Sequence, residues 1–264
     1  LGPFTSQPHN PFAYKPEGFI SGAGHGSTFI DKYGNYWHIG TITISQKHIF
    51  ERRLGLYPAF FDEHGTMYSM TKFGDYPLIM PQKKISDYKE VFTGWMLLSY
   101  EKGTKVSSSV DSLPAINMTD EDIRTYWAAE SGNQGEFAIL DLGKSYDVYA
   151  LQVNFAEHNT AIFGRNPNIS HRYIIEYSND NINWKMLVDK SKKESDNTHE
   201  YFQLPDKVLC RYVKITNIEI PGGHFAISGF RVFGRGDGDA PGNIGKLDVR
   251  RNSDDKRSVY LSWN

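Results

Sequence analysis

Between Val148 and Phe155 the sequence reads "VYALQVNF", and its strict alternation constrains the fold more than any other feature. Tyr149, Leu151, Val153 and Phe155 fall on one face of an extended chain, with Ala150, Gln152 and Asn154 on the other. That is the pattern of a half-buried antiparallel strand. Segments of the same kind surround it: "GEFAILDLG", "HRYIIEYS", "NWKMLVD", "HEYFQLP", "CRYVKITNI" and "FAISGFRVFG", separated by Gly, Asn, Asp and Pro. No long stretch holds a helical period. About seven short strands without intervening helices predict an antiparallel sandwich or jelly roll. The expected class is all-β.

The first 80 residues carry a short internal echo. "FIDKYGNYW" (Phe29–Trp37) and "FFDEHGTMY" (Phe60–Tyr68) each place an aromatic, an Asp, a Gly three residues later, and then aromatic or apolar residues. Each predicts a hairpin, with Asp31 or Asp62 bonding its own backbone and the Gly taking positive φ. Two hairpins at this spacing suggest radial repetition of small sheets. Residues 81–94 read as a connector with one short helical turn, and residues 95–235 as the sandwich. "GRGDGDAPGN" then forms a linker, so that residues 236–264 comprise that linker and two strands around a polar turn. Both ends read as cuts through a longer protein.

Composition narrows the partners. Twenty-nine basic against 31 acidic residues leave a net charge of −2, with no basic stripe. Nucleic acid is therefore not an expected partner, and anionic membrane surfaces gain no attraction. No run of about 18 apolar residues is present to insert in a bilayer. Sixteen Tyr and 16 Phe suit sheets and surfaces that stack on sugar rings. Cys210 is the single cysteine, which rules out an internal disulfide and predicts a small buried strand residue. A monomer is expected, and no organic cofactor.

Five motifs in order, "INMTDEDIRTYWAA" (Ile116–Ala129), "GEFAILDLG" (Gly135–Gly143), "YIIEYSNDNINWKML" (Tyr173–Leu187), "RYVKITNI" (Arg211–Ile218) and "FAISGFRVFG" (Phe225–Gly234), resemble the discoidin or factor V/VIII type C domain. Family 32 carbohydrate-binding modules share that fold. Within the first motif Asn117, Asp120, Asp122 and Thr125 bunch oxygen donors, and the resemblance makes this the structural calcium loop. Calcium takes six to eight oxygens. The last strand has Gly229 where related modules often carry a Glu, so a self-bonded acidic turn stands as the alternative. Sugar binding by this fold uses loop tips, which points to "AEHNTAIFGRNPNISH" (Ala156–His171) and "PGGHFA" (Pro221–Ala226). The candidates are His158, Asn159, Phe163, Arg165, His224 and Phe225: aromatics to stack, and polar groups to bond hydroxyls. Trp127 and Trp184 read as core anchors.

"GAGHGSTFIDKYGNYWH", "FERR" (Phe50–Arg53) and "FFDEHGTMY" resemble the closing blades of a five-bladed β-propeller glycoside hydrolase of family 43. The resemblance places His25 at the propeller centre, with Arg53 able to line the substrate pocket. A buried histidine bonded to a carbonyl is the alternative for His25. The family's inverting mechanism uses an Asp base and a Glu acid on earlier blades, so no catalytic residue is assigned in these 264 residues. The tail from Ala240 resembles the start of a fibronectin type III domain, with Trp263 at its core position. The expected whole is a piece of a secreted, periplasmic or cell-surface glycoside hydrolase with an accessory carbohydrate-binding module. The alternatives are a non-catalytic glycan-binding or adhesion protein, and a module that only braces its neighbours.

Overall fold

A computed structural model describes residues 2–3, 5–7, 10–44, 52–71, 74–160, 170–195, 197–236, 244–254 and 259–263 of the chain. The described residues form strands, short 3₁₀ turns and loops, with no α-helix among them. The all-β expectation holds.

At the N-terminal end β1 (Ser21–Ile30), β2 (Tyr36–Thr43), β3 (Arg52–Phe61) and β4 (Met67–Ser69) pair in chain order as one antiparallel meander. Both echoing hairpins lie in this sheet. Their turns are built alike. Asp31 Oδ1 accepts from the backbone N–H of Tyr33 and Asn35 at 2.8 and 2.9 Å, and Gly34 has φ +86°. Asp62 Oδ1 accepts from the N–H of His64 and Thr66 at 2.9 and 2.8 Å, and Gly65 has φ +76°. One sheet of four strands, each joined to the next, is the strand number and connection of a single propeller blade.

The glycines around His25 have a local cause. β1 is an edge strand whose register breaks twice, between Gly22 and Gly24 and between Gly24 and Ser27. Such bulges are common on sheet edges. Ala23 and His25 take positive φ within them, at 77° and 47°. A Cβ on Gly26 would lie 2.1 Å from the Ile39 carbonyl and 2.7 Å from the His38 ring. The glycine is thus what lets the bulged strand pass over β2.

Residues 81–94 are folded back onto this sheet. The 3₁₀ turn Tyr88–Val91 has a capping box between Asp87 and Glu90, and Tyr88 stacks on Phe60 at 5.2 Å.

In the sandwich, β5 (Met96–Leu97), β6 (Gly103–Val106), β7 (Trp127–Ala128), β8 (Phe137–Phe155), β9 (Arg172–Ser178), β10 (Lys185–Asp189), β11 (His199–Glu219) and β12 (Ala226–Arg235) form a continuous antiparallel network. Two long strands turn its corners. The second half of β11 pairs with β9 and with the first half of β8, which also pairs with β6. The first half of β11 pairs with the second half of β8, which β12 joins on its other side. Each long strand therefore serves both layers, as in a jelly roll. Between the layers lie Trp127, Leu140, Leu151, Val153, Phe155, Val213, Ile215, Phe230 and Val232. Cys210 is buried here as expected, and burial pushes its thiol up to about 12. Trp184 departs from expectation: it is half-buried, with Lys214 Nζ 4.3 Å from its ring centroid.

The outer face of the β8–β12 layer is covered as well. Ala150, Gln152 and Asn154 are all buried, because the N-terminal residues pack over them. Asn154 Nδ2 donates to the Ile44 carbonyl at 2.6 Å, and Phe19 lies on Gly229, where a Cβ would come within 2.1 Å of the ring. Along this seam runs a charge network. Arg231, 1% exposed, donates from Nε and Nη2 to the two carboxylate oxygens of Glu121 at 2.9 and 2.8 Å. Its Nη1 donates to the Asp75 carbonyl and, at 2.7 Å, to Gln152 Oε1. Phe19, Tyr76 and Phe233 surround the guanidinium at 4.4–5.0 Å from their ring centroids. Lys15 and Asp75 pair at 3.2 Å beside it.

The tail strands β13 (Leu247–Arg251) and β14 (Val259–Trp263) pair antiparallel, and the residues of both strands are exposed, Trp263 among them at 63%. The core position expected for Trp263 is therefore not buried by the described residues.

Candidate functional site

Three loops meet at one end of the sandwich. The first precedes β7 and carries Tyr126; the second follows β8 and carries His158 and Asn159; the third precedes β12 and carries His224. An isolated antiparallel bridge joins His158 to His224, whose N–H donates to the His158 carbonyl at 2.9 Å. Gly223 makes this approach possible. It has φ +73°, and a Cβ there would sit 2.2 Å from the His158 carbonyl oxygen.

The side chains then form a connected group. Tyr126 Oη lies 3.1 Å from His158 Nδ1, and the two histidine rings meet edge to face at 5.0 Å. His224 Nδ1 lies 2.8 Å from the Ala129 carbonyl, which can only accept, so that nitrogen carries a proton. In neutral His224 the other nitrogen is then an acceptor, and Asn159 Nδ2 donates to it at 3.2 Å. Asn159 itself is exposed and left-handed, at φ 55°, a conformation its short polar side chain tolerates. Burial raises the Tyr126 hydroxyl above its usual range, so it stays protonated and able to donate. The result is an arc of donors and acceptors of fixed orientation around two half-buried imidazoles. It can bond several hydroxyls of one small polar molecule.

The expected sugar contacts divide sharply. His158, Asn159 and His224 are brought together. Phe225 is not among them: it is 1% exposed and packs edge to face on Trp127 at 5.7 Å, because the strand it opens points it between the layers. Phe163 and Arg165 lie outside the described residues. Tyr126 was missed. In sequence it reads as part of the acidic loop, and only the fold carries it to a residue 32 positions away.

The acidic loop is adjacent. Asp120 Oδ1 accepts from the Asp122 N–H at 2.9 Å, and Asp122 Oδ1 from the Arg124 N–H at 2.9 Å. The Thr125 hydroxyl lies between Asp120 Oδ2 and the Asp122 carbonyl, the latter at 3.0 Å. One hydroxyl proton cannot serve both acceptors fully, so three oxygens crowd one corner, which suits a hard cation. Asn117 instead donates to the Tyr126 carbonyl at 3.1 Å, tying the acidic loop to the histidine cluster. Among the described residues, no three His, Cys, Asp or Glu side chains converge as a metal site. A cation here would rest on hydroxyl and carbonyl oxygens with Asp120.

His25 and Arg53 are both exposed, on β1 and β3. The His25 carbonyl accepts from the Thr41 hydroxyl at 3.4 Å. The buried, carbonyl-bonded histidine of this sheet is His38, with Nε2 3.2 Å from the Ala23 carbonyl.

Comparison with known proteins bears on the sandwich alone. Residues 102–229 match the family model of the F5/8 type C domain. Similar solved structures include chitosan-binding module 1 of a chitosanase/glucanase from Paenibacillus sp. IK-5. It is 19% identical with a TM-score of 0.43, and the match covers 53% of this chain and 99% of that one. A family 32 carbohydrate-binding module from Clostridium perfringens NanJ, in complex with galactose, is 18% identical with a TM-score of 0.42, covering 53% and 97%. CpGH89CBM32-4 from the same organism, in complex with GlcNAc-α-1,4-galactose, is 20% identical with a TM-score of 0.44, covering 53% and 95%. No curated protein matches the chain. The jelly-roll connection of β8 and β11, the acidic loop before β7 and the family match agree: residues 102–229 are an F5/8 type C domain.

Proposed function

We propose that the sandwich binds glycan at the loop end formed by Tyr126, His158, Asn159 and His224. The observation that carries this reading is the convergence of four hydrogen-bonding side chains from three separate loops. Core stability does not require two imidazoles in contact at a loop tip, one bonded to a tyrosine hydroxyl and the other to an exposed carboxamide; recognition of vicinal hydroxyls uses that chemistry. A glycan array probed with the whole chain tests it. Binding to a defined set of saccharides is expected, reduced at least tenfold by Asn159→Ala and by His224→Ala. If no glycan is retained, or if both variants bind as the parent does, the module is a brace between its neighbours.

Calcium at the Asp120–Thr125 corner belongs to the same proposal. It would bind the oxygens that crowd Thr125 and hold the Tyr126 loop in place. Added calcium should raise the melting temperature by a few degrees, and Asp120→Ala should remove that rise. An identical melting temperature in calcium and in chelator would end this part of the reading.

The N-terminal sheet supports a further, coarser proposal: a blade of a glycoside-hydrolase propeller in a secreted or cell-surface protein whose sandwich is an accessory module. Four strands in blade connection are its support, and catalytic carboxylates on neighbouring blades of a longer protein would decide it.

A further inference from the structure

One pocket lies away from the histidine cluster, between the N-terminal residues and the sandwich. It encloses about 670 Å³, with Tyr14, Glu17, Asp75, Tyr76, Tyr100 and Glu121 in its lining. Three tyrosines give it apolar walls, and two of them, Tyr14 and Tyr100, are 61% and 48% exposed. Its charges are unequal. Asp75 is matched by Lys15, and Glu121 by Arg231 behind the wall. Glu17, exposed at the rim, is in no ion pair with the described residues, so the pocket carries an excess negative charge. Asp75 is 8% exposed, with Oδ2 on Lys15.

We infer that this pocket is a second saccharide subsite, selective for a sugar unit that carries no acidic group and favouring one with a protonated amine. The tyrosine rings offer faces for the apolar side of a pyranose, and their quadrupoles attract a cation. Glu17 supplies the opposite charge. A uronate would meet the excess negative charge of Glu17 and be repelled. The volume fits one or two sugar rings, within the range of about 300–1,000 Å³ usual for ligand pockets. The subsite shares no residue with the Tyr126–His224 cluster, so it stands or falls independently of it.

The test is an NMR titration of the isotope-labelled 264-residue chain with glucosamine, glucose and glucuronate in turn. Glucosamine should shift the amides of Glu17, Gly18 and Tyr100, with glucose weaker and glucuronate without effect. Glu17→Gln, at an exposed rim position, should bring glucosamine affinity down to that of glucose. Tyr100→Ala should reduce both sugars at least tenfold, while Asn159→Ala leaves them unchanged. Glucuronate binding as tightly as glucosamine, shifts confined to the His158–His224 loops, or a Glu17→Gln chain that still prefers the amine would each overturn the inference.

Discussion

The two faces of the β8–β12 layer are both buried, yet by opposite chemistry. The inner face meets Trp127, Leu140 and Val213 in an apolar core. The outer face, against residues 15–76, holds Arg231, Gln152 and Asn154, with Lys15, Asp75 and Glu121 brought to them from elsewhere. A dry apolar layer needs volume and pattern, and tolerates conservative exchange. A charged seam needs every partner at once, since one unmatched ion costs more than the pair returns. The inner face therefore holds the sandwich together, whereas the outer face specifies what sits beside it.

The largest expected effect breaks the seam at its centre. Arg231→Ala leaves Glu121, Gln152 and the Asp75 carbonyl without their donor, and should cost about 3–5 kcal/mol of unfolding free energy by urea denaturation. Pairing Arg231→Met with Glu121→Leu should recover most of that loss. If the single variant is harmless, the seam does not specify what sits beside the sandwich.

Acid should attack the same place. His199 sits at the seam with Nε2 on Gln152, which has its oxygen on Arg231 and so donates. Burial, then the positive charges of Arg231 and Arg53, lower the imidazole from 6.5 to about 4. The folded state thus binds the proton less readily than the unfolded one, and this contribution is complete above pH 6.5. Stability should fall as pH drops from 6.5 towards 4, by up to about 1.4 kcal/mol per unit. His199→Gln should flatten that slope in denaturant titrations, and an unaltered slope would assign the acid sensitivity elsewhere.

The smallest effect probes the steric side of the seam. Gly229→Ala puts a methyl 2.1 Å from Phe19 and should cost about 1–3 kcal/mol, partly relieved by Phe19→Leu. No relief in the double variant would show that the glycine serves something other than this contact.

What could be read from sequence followed the same division. Strands that alternate, the Asp31 and Asp62 turns and the buried Cys210 are local matters, and each stands as expected. Ala150, Gln152 and Asn154 looked like a solvent face because their cover comes from more than a hundred residues earlier. Arg231 in "FRVFG" gave no sign of burial for the same reason. His25 drew attention through its glycines, yet those glycines accommodate the bulge and the ring of His38, a histidine with no motif around it. At the candidate site His158, Asn159 and His224 were legible as polar loop tips, whereas Tyr126 needed the fold to bring it there, and Phe225 was hidden by the direction of its strand.

The hydrogen bond from Asn154 to Ile44 and the seating of Phe19 on Gly229 mean that the sandwich does not swing on a tether. A polymer gripped at its loop end, as proposed, would be presented to the N-terminal sheet at one distance and one angle. The effective concentration of that polymer at the sheet is then set by geometry instead of linker length. Were the sheet to hold a second glycan site, chain segments whose spacing matches the rigid span would gain avidity, and all others none.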